Sequence, residues 1–237
     1  MIHKKNIAFT LAEVLITLGI IGVIAALTLP SLINNYRNKA LKTGLKRSYS
    51  LMEQALSSMQ ARTGITPTPE EYGRQKFKEE YIKEFKILLD CGLGSTDVND
   101  RVNASKYCVN EQLTDKGQRF TDHYKTFDKK NQLDNTLINN GQFVLADGTN
   151  IFIENWDDHC LYISVDVNGL SHAPNVWGYD LFTFQLTKDG RLAPMGKPGT
   201  DYAPERFCSK TSSHHFNGVA CTYWALTDEK YWKEKVN

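Results

Sequence analysis

From Ile7 to Ile33 the chain reads IAFTLAEVLITLGIIGVIAALTLPSLI, apolar almost throughout, with Glu13 as its one charge. A bilayer crossing takes about 20 apolar residues at ~1.5 Å of rise each, so this stretch predicts a membrane-spanning helix. A carboxylate within such a span is costly in lipid and marks a functional position that needs a partner. An ordinary secretory signal has a shorter apolar core, about 7–15 residues, followed by a small-residue cleavage site. This run is longer, and no such site follows it directly. A plain signal anchor matches the length but gives no reason for Glu13.

Orientation is contested within the sequence. Lys4 and Lys5 precede the span, whereas Arg37, Lys39, Lys42, Lys46 and Arg47 follow it. Counted alone, these charges place the C-terminal side in the cytoplasm. The five cysteines further on point instead to an exported, oxidising setting for that side. The remainder of the 237 residues suffices for one globular domain with a modest core. A formal net charge of +1 gives no field that would recruit nucleic acid, so no nucleic-acid partner is expected.

Periodicity extends the helix. Leu32, Tyr36, Leu41, Leu45, Tyr49, Met52, Leu56 and Met59 recur at spacings dominated by three and four, which predicts an amphipathic continuation needing cover on one face. Pro30 lacks an N–H and predicts a kink or loosening. Gly64 and Thr66-Pro67-Thr68-Pro69 end the helix. Residues 70–90 read as a second helix, with Phe77, Tyr81, Phe85 and Leu88 or Leu89 as its apolar stripe. The region from Cys91 to Asn140 is polar and predicts no definite elements.

Beyond it the period becomes two. Gln142–Ala146 and Asn150–Ile153 flank Asp147-Gly148 and read as a hairpin. Leu161–Val167, closed by Asn168-Gly169, is a third strand. Leu181–Thr187 is a fourth, turning at Asp189-Gly190 into Arg191-Leu192. A long helix followed by antiparallel strands predicts an α+β fold in which the helix packs on the sheet.

The start of the chain resembles the type III signal of type IV pilins and type II secretion pseudopilins. The resemblance rests on basic Met1-Ile-His-Lys-Lys-Asn-Ile-Ala8, then Phe9-Thr-Leu-Ala-Glu13, and spans residues 4–33. In that family a basic leader is cut before an apolar residue, the new N-terminus is N-methylated, and a Glu stands fifth. The resemblance implies cleavage between Ala8 and Phe9, which makes Glu13 the fifth residue. Pro30 falls where many pilins carry a helix-kinking proline, and Gly19 and Gly22 fall in the usual small-residue zone. The residue before the cut is normally Gly, and here it is Ala8. The implied organisation is a leader (1–8), a membrane and filament-core helix (9–33), its amphipathic continuation (34–62), a variable region (63–141) and an antiparallel sheet with a C-terminal disulfide loop (142–237).

Cys91, Cys108, Cys160, Cys208 and Cys221 are an odd set, so an exported domain leaves one unpaired. Spacing does not give connectivity. The preferred pairs are Cys91–Cys108 and Cys208–Cys221, the second resembling the C-terminal disulfide loop of many type IV pilins. Zinc on Cys208, His214, His215 and Cys221 is the competing reading, against the usual ligand spacings. Asp166-Val-Asn168-Gly169, then Asn175 and Asp180, begins as calcium loops begin, but no Glu closes a twelve-residue pattern. The alternative is a turn held by Asp and Asn side chains. Some pseudopilins bind calcium near their C-terminal strands, which keeps Ca2+ on Asp166, Asn168, Asn175 and Asp180 in view; no other cofactor is expected.

No G-x-S-x-G, phosphate loop or His-Glu-x-x-His is present, so no catalysis is expected. The resemblance implies a pilus or pseudopilus subunit, single-pass in the bacterial inner membrane with its C-terminal domain extracytoplasmic. Its partners would be other pilin or pseudopilin subunits, a prepilin peptidase/methyltransferase, the inner-membrane assembly platform and membrane lipid. An uncleaved, single-pass, membrane-anchored extracytoplasmic binding module is the alternative; an enzyme tethered the same way is the third class.

Overall fold

A computed structural model describes residues 10–73, 76–93, 107–109, 123–155 and 157–236. The chain divides into two compact units, Met1–Lys39 and Ala40–Asn237. Helix α1, Leu11–Thr63, begins in the first and ends in the second. Between Leu11 and Arg37 every side chain is exposed except part-buried Ala25. Pro30 lies inside α1 without interrupting its helical run, although it offers no N–H to the preceding turn. Gly64 caps the helix at φ 73°, its N–H donating to the Gln60 carbonyl at 2.8 Å.

In the second unit Leu41, Leu45, Met52, Leu56 and Met59 are buried, and the Tyr49 ring stacks on Phe184 with centroids 5.1 Å apart. The expected stripe therefore holds from Leu41 onward. Leu32 and Tyr36, expected to share it, are 65% and 76% exposed and belong with the uncovered stretch. A Cβ placed on Gly44 would meet the Cβ of Val167 at 3.3 Å, so helix backbone and sheet approach closely there.

The single helix expected over 70–90 is not formed. Helix α2 is confined to Phe77–Tyr81, a 3₁₀ turn takes Ile82–Glu84, and β1 spans Ile87–Asp90. Phe85 is extended at φ −120°, ψ 152°. Ile87 and Leu89 pair with Leu145 and Val144, so cross-strand pairing overrides the helical spacing of the apolar residues. Phe77 and Tyr81 are fully buried, as a core stripe requires.

The remaining strands are β2 Gln142–Leu145, β3 Asn150–Glu154, β4 Tyr162–Asp166, β5 Leu181–Leu186 and β6 Leu192–Pro194. They form one six-stranded sheet in sequential order, antiparallel throughout. The fold is thus α+β, with α1 against an antiparallel sheet. Short helices α3, Pro204–Phe207, and α4, Cys221–Thr227, complete it.

Alternation sorts the strands into two faces. Phe143, Ile151, Ile153, Ile163, Val165, Phe182 and Phe184 join the core built on α1. The opposite parity holds Asn150, Phe152 and Glu154 on β3, Tyr162, Ser164 and Asp166 on β4, and Leu181 and Thr183 on β5. That face is buried too: Tyr124, Leu133, Leu137, Ile138, Trp177, Met195 and Val219 pack with Phe152, Tyr162 and Leu181. Polar side chains are consequently trapped in the interior and must satisfy one another. Ser164 and Thr183 hydroxyls meet at 2.7 Å, and the Trp177 Nε1–H donates to Thr183 at 2.9 Å.

Candidate functional site

Two places carry chemistry: the start of α1, and the polar end of the sheet's second face. Ala8 and Phe9, the expected cleavage point, lie outside the described residues. Glu13 stands in the first turn of α1. Its Oε2 accepts the backbone N–H and the hydroxyl of Thr10, each at 2.9 Å, while the Glu13 N–H donates to the Thr10 hydroxyl at 3.3 Å. This reciprocal arrangement is a capping box, and Thr10-Leu-Ala-Glu13 has its spacing. Glu13, expected from its apolar surroundings to need an opposite charge, also has a local hydrogen-bonding partner in Thr10. Around it Leu11, Leu15, Ile16 and Leu18 are 60–78% exposed, and a Cβ at Gly19 or Gly22 would meet nothing within 4 Å.

Cys91 is bonded to Cys108 and Cys208 to Cys221, with Cα atoms 5.7 and 5.0 Å apart. A thiol held in a disulfide is not a zinc ligand, so the zinc alternative on Cys208 and Cys221 falls. Its histidines are otherwise engaged. The His214 Nδ1 accepts the Phe216 N–H at 3.0 Å, and the His215 Nε2 is 3.8 Å from Asp134. Cys160 is unpaired and half-buried. Burial, followed by the adjacent Asp157 carboxylate that accepts its S–H at 3.3 Å, pushes its thiol up to about 12.

Asp166, Asn168, Asn175 and Asp180, the residues expected to hold calcium, all lie along the loop that joins β4 to β5. Asp166 ends β4 and Asp180 immediately precedes β5, and both are fully buried. The Asp166 Oδ1 accepts the N–H groups of Asn168 at 3.2 Å and Gly169 at 2.9 Å; its Oδ2 accepts the Tyr124 hydroxyl at 2.6 Å. The Asp180 oxygens accept the N–H groups of Asn175 and Val176, each at 2.7 Å. Gly169 sits at φ 79°, and a Cβ there would lie 2.3 Å from the Gly148 carbonyl oxygen. Any larger residue would therefore push the loop off the β2–β3 turn.

Burial raises both carboxyls, Asp166 to about 6 and Asp180 well above the usual range, the latter also through the neighbouring Asp166 charge. Among the described residues no lysine or arginine forms an ion pair with either. Both asparagines spend their amide N–H groups on the loop. Asn168 Nδ2 donates to the His172 and Ala173 carbonyls at 2.7 and 3.3 Å, and Asn175 Nδ2 to the Leu170 carbonyl at 2.9 Å. A carbonyl only accepts, which fixes each amide's orientation. Their Oδ1 atoms are buried without a hydrogen-bond partner, and so is that of Asn150.

Asn150 and Tyr124 are the members that sequence reasoning missed. Asn150 is directly across from Asp166 in the β3–β4 register, and its side chain hydrogen-bonds to the Tyr124 hydroxyl. Strand register brings Asn150 to the loop and tertiary packing brings Tyr124 there, so no local motif could have found them. The described residues hold no group of three or more His, Cys, Asp or Glu side chains placed to share an ion; here the additional oxygens are amides. No family model, curated protein or solved structure matches the chain.

Proposed function

We propose that the chain is a structural subunit of a type IV pilus or a type II secretion pseudopilus. In this reading residues 9–33 cross the bacterial inner membrane and the domain stands on the extracytoplasmic side. A prepilin peptidase/methyltransferase cuts between Ala8 and Phe9 and methylates the new amine. The assembly platform then moves the helix out of lipid and into a filament core made by neighbouring subunits. Small residues Gly19, Gly22, Ala25 and Ala26 allow helices to approach closely. The chain's role is architectural and not catalytic.

The observation that carries the reading is Glu13. It is the only charged residue on an exposed apolar run of α1, and the same helix continues into turns buried against the sheet. A filament subunit needs both: an apolar shaft to exchange lipid for its neighbours, and a folded head held on that shaft. Glu13 then pairs with the cleaved N-terminal amine of an adjacent subunit, neutralising both charges and fixing axial register, the best-attested use of a buried ion pair.

A second reading is an uncleaved, membrane-anchored binding module. It is favoured by the Thr10 cap, which gives Glu13 a role without any neighbour. Glu13→Val separates the two. The filament reading expects normal membrane fractionation with loss of the subunit from sheared surface filaments. Assembly at the wild-type level favours the anchored module.

A further inference from the structure

We propose that the tip of the loop closed by Cys208 and Cys221 is an acid-sensitive latch, held shut by neutral His214 and opened when that ring takes a second proton. All of its parts belong to the unit Ala40–Asn237. This inference does not depend on the filament reading.

A backbone N–H only donates, so the Phe216 N–H, 3.0 Å from His214 Nδ1, needs a lone pair on that nitrogen. The neutral ring therefore carries its proton on Nε2. An imidazolium has no acceptor, and a proton added at Nδ1 sets two N–H groups against each other. The surroundings oppose the same proton. The His215 ring lies 4.4 Å away, centroid to centroid, and tilted by 31°. The Arg206 guanidinium of α3 stands 5.0 Å from the centre of the Phe207 ring, whose centroid is itself 5.0 Å from that of His214. Partial burial, then the charges of His215 and Arg206, hold His214 below its ordinary 6.5. The carboxylate facing the pair, Asp134, is 3.8 Å from the His215 Nε2.

The rest of the loop is fastened without His214. Fully buried Asn217 donates from Nδ2 to the Ser209 and Ser212 carbonyls at 2.7 and 2.8 Å, and its Oδ1 accepts the Ser209 N–H at 3.0 Å. The Asn217 carbonyl accepts the Phe127 N–H at 2.8 Å, and the disulfide holds the ends. Between these anchors lie His214, His215 and Phe216. Opening frees the Phe216 ring from Tyr202, 5.7 Å away between centroids, and the His215 carbonyl from the Asp134 N–H at 3.2 Å. The sign follows from the lowered His214. The closed ring binds its proton less readily than a freed one, so closure is complete above the ordinary histidine value and is lost as pH falls below it. A single proton shifts the open-to-closed ratio by at most about tenfold per pH unit.

The test is amide hydrogen exchange read by NMR, on the full chain in detergent micelles with its disulfides intact. Corrected for the intrinsic rate, protection of the Phe216 amide should fall about tenfold between pH 8 and pH 5, while the Phe182 and Phe184 amides of β5 keep theirs. His214→Asn places an amide oxygen near the Nδ1 position and does not titrate, so Phe216 should stay protected at both pH values. His214→Ala supplies no acceptor and should leave Phe216 unprotected at both. His215→Gln removes a neighbouring charge and should move the midpoint to higher pH. Equal protection of Phe216 at pH 8 and pH 5 in the folded wild type overturns the proposal. So does an acid response that persists in His214→Asn, or loss of the β5 amides over the same range, which would make the opening global.

Discussion

One carboxylate oxygen of Glu13 receives both the backbone N–H and the hydroxyl of Thr10, each at 2.9 Å. The contact satisfies hydrogen bonding at the start of α1, but it leaves the charge of Glu13 in place. Capping and charge pairing are separable roles for the same carboxylate.

Glu13→Gln separates them, because a capping box accepts Glu or Gln while only Glu is charged. The filament account expects Glu13→Gln to be missing from sheared filaments as completely as Glu13→Val. Thr10→Val, which removes the cap and keeps the charge, should assemble close to the wild-type level. Immunoblots of sheared and membrane fractions read all three. A fully assembling Glu13→Gln would assign the residue to the cap.

Leu45 and Leu32 lie on one helix with opposite fates: Leu45 is fully buried against the sheet and Leu32 is 65% exposed. Leu45→Ala should destabilise the domain by about 2–5 kcal/mol, the usual range for a core leucine. Leu32→Ala should leave its denaturation midpoint unchanged. Chemical denaturation of both variants in micelles measures this.

Non-reducing peptide mapping should recover Cys208 linked to Cys221. Replacing both with Ala opens a loop of 13 residues in sequence separation, and should cost about 3 kcal/mol on the chain-entropy account. An unchanged stability would mean that the surrounding contacts of Tyr231 and Trp232 hold the C-terminus without the bond.

The Cys160 thiol, pushed up to about 12 by burial and by Asp157, should react slowly with alkylating agents. At pH 8 its thiolate population lies roughly three orders of magnitude below that of an ordinary thiol titrating at 9.0. The sign for stability follows: the unfolded thiol ionises first, so this group's contribution is intact below pH 9 and is lost as pH rises towards 12. Asp157→Asn removes a negative neighbour and should speed alkylation, as timed by thiol titration of the unreduced protein.

Much of this fold is written in local pattern. Asp147-Gly148 marks the β2–β3 turn, with Gly148 at φ 90°, and the alternation of Leu181–Leu186 marks β5. The stretch 70–90 departs from its pattern because Phe77, Tyr81 and Phe85 keep helical spacing while Ile87–Asp90 is claimed by β2, a partner far along the chain. Asp166, Asn168, Asn175 and Asp180 are legible as a cluster because one short loop carries them. Asn150 and Tyr124 are not, since register and tertiary packing alone bring them there. At Glu13 both the apolar surroundings and the Thr10 hydroxyl three residues earlier are legible, the latter as capping-box spacing.

Processing into a filament subunit leaves its mark on the N-terminal peptide. Protein purified from sheared surface filaments, digested and analysed by mass spectrometry, should yield a first peptide beginning at Phe9 and carrying one N-methyl group. Recovery of the chain only from membranes, with Met1 through Ala8 still attached, would contradict the account and leave an anchored domain in its place.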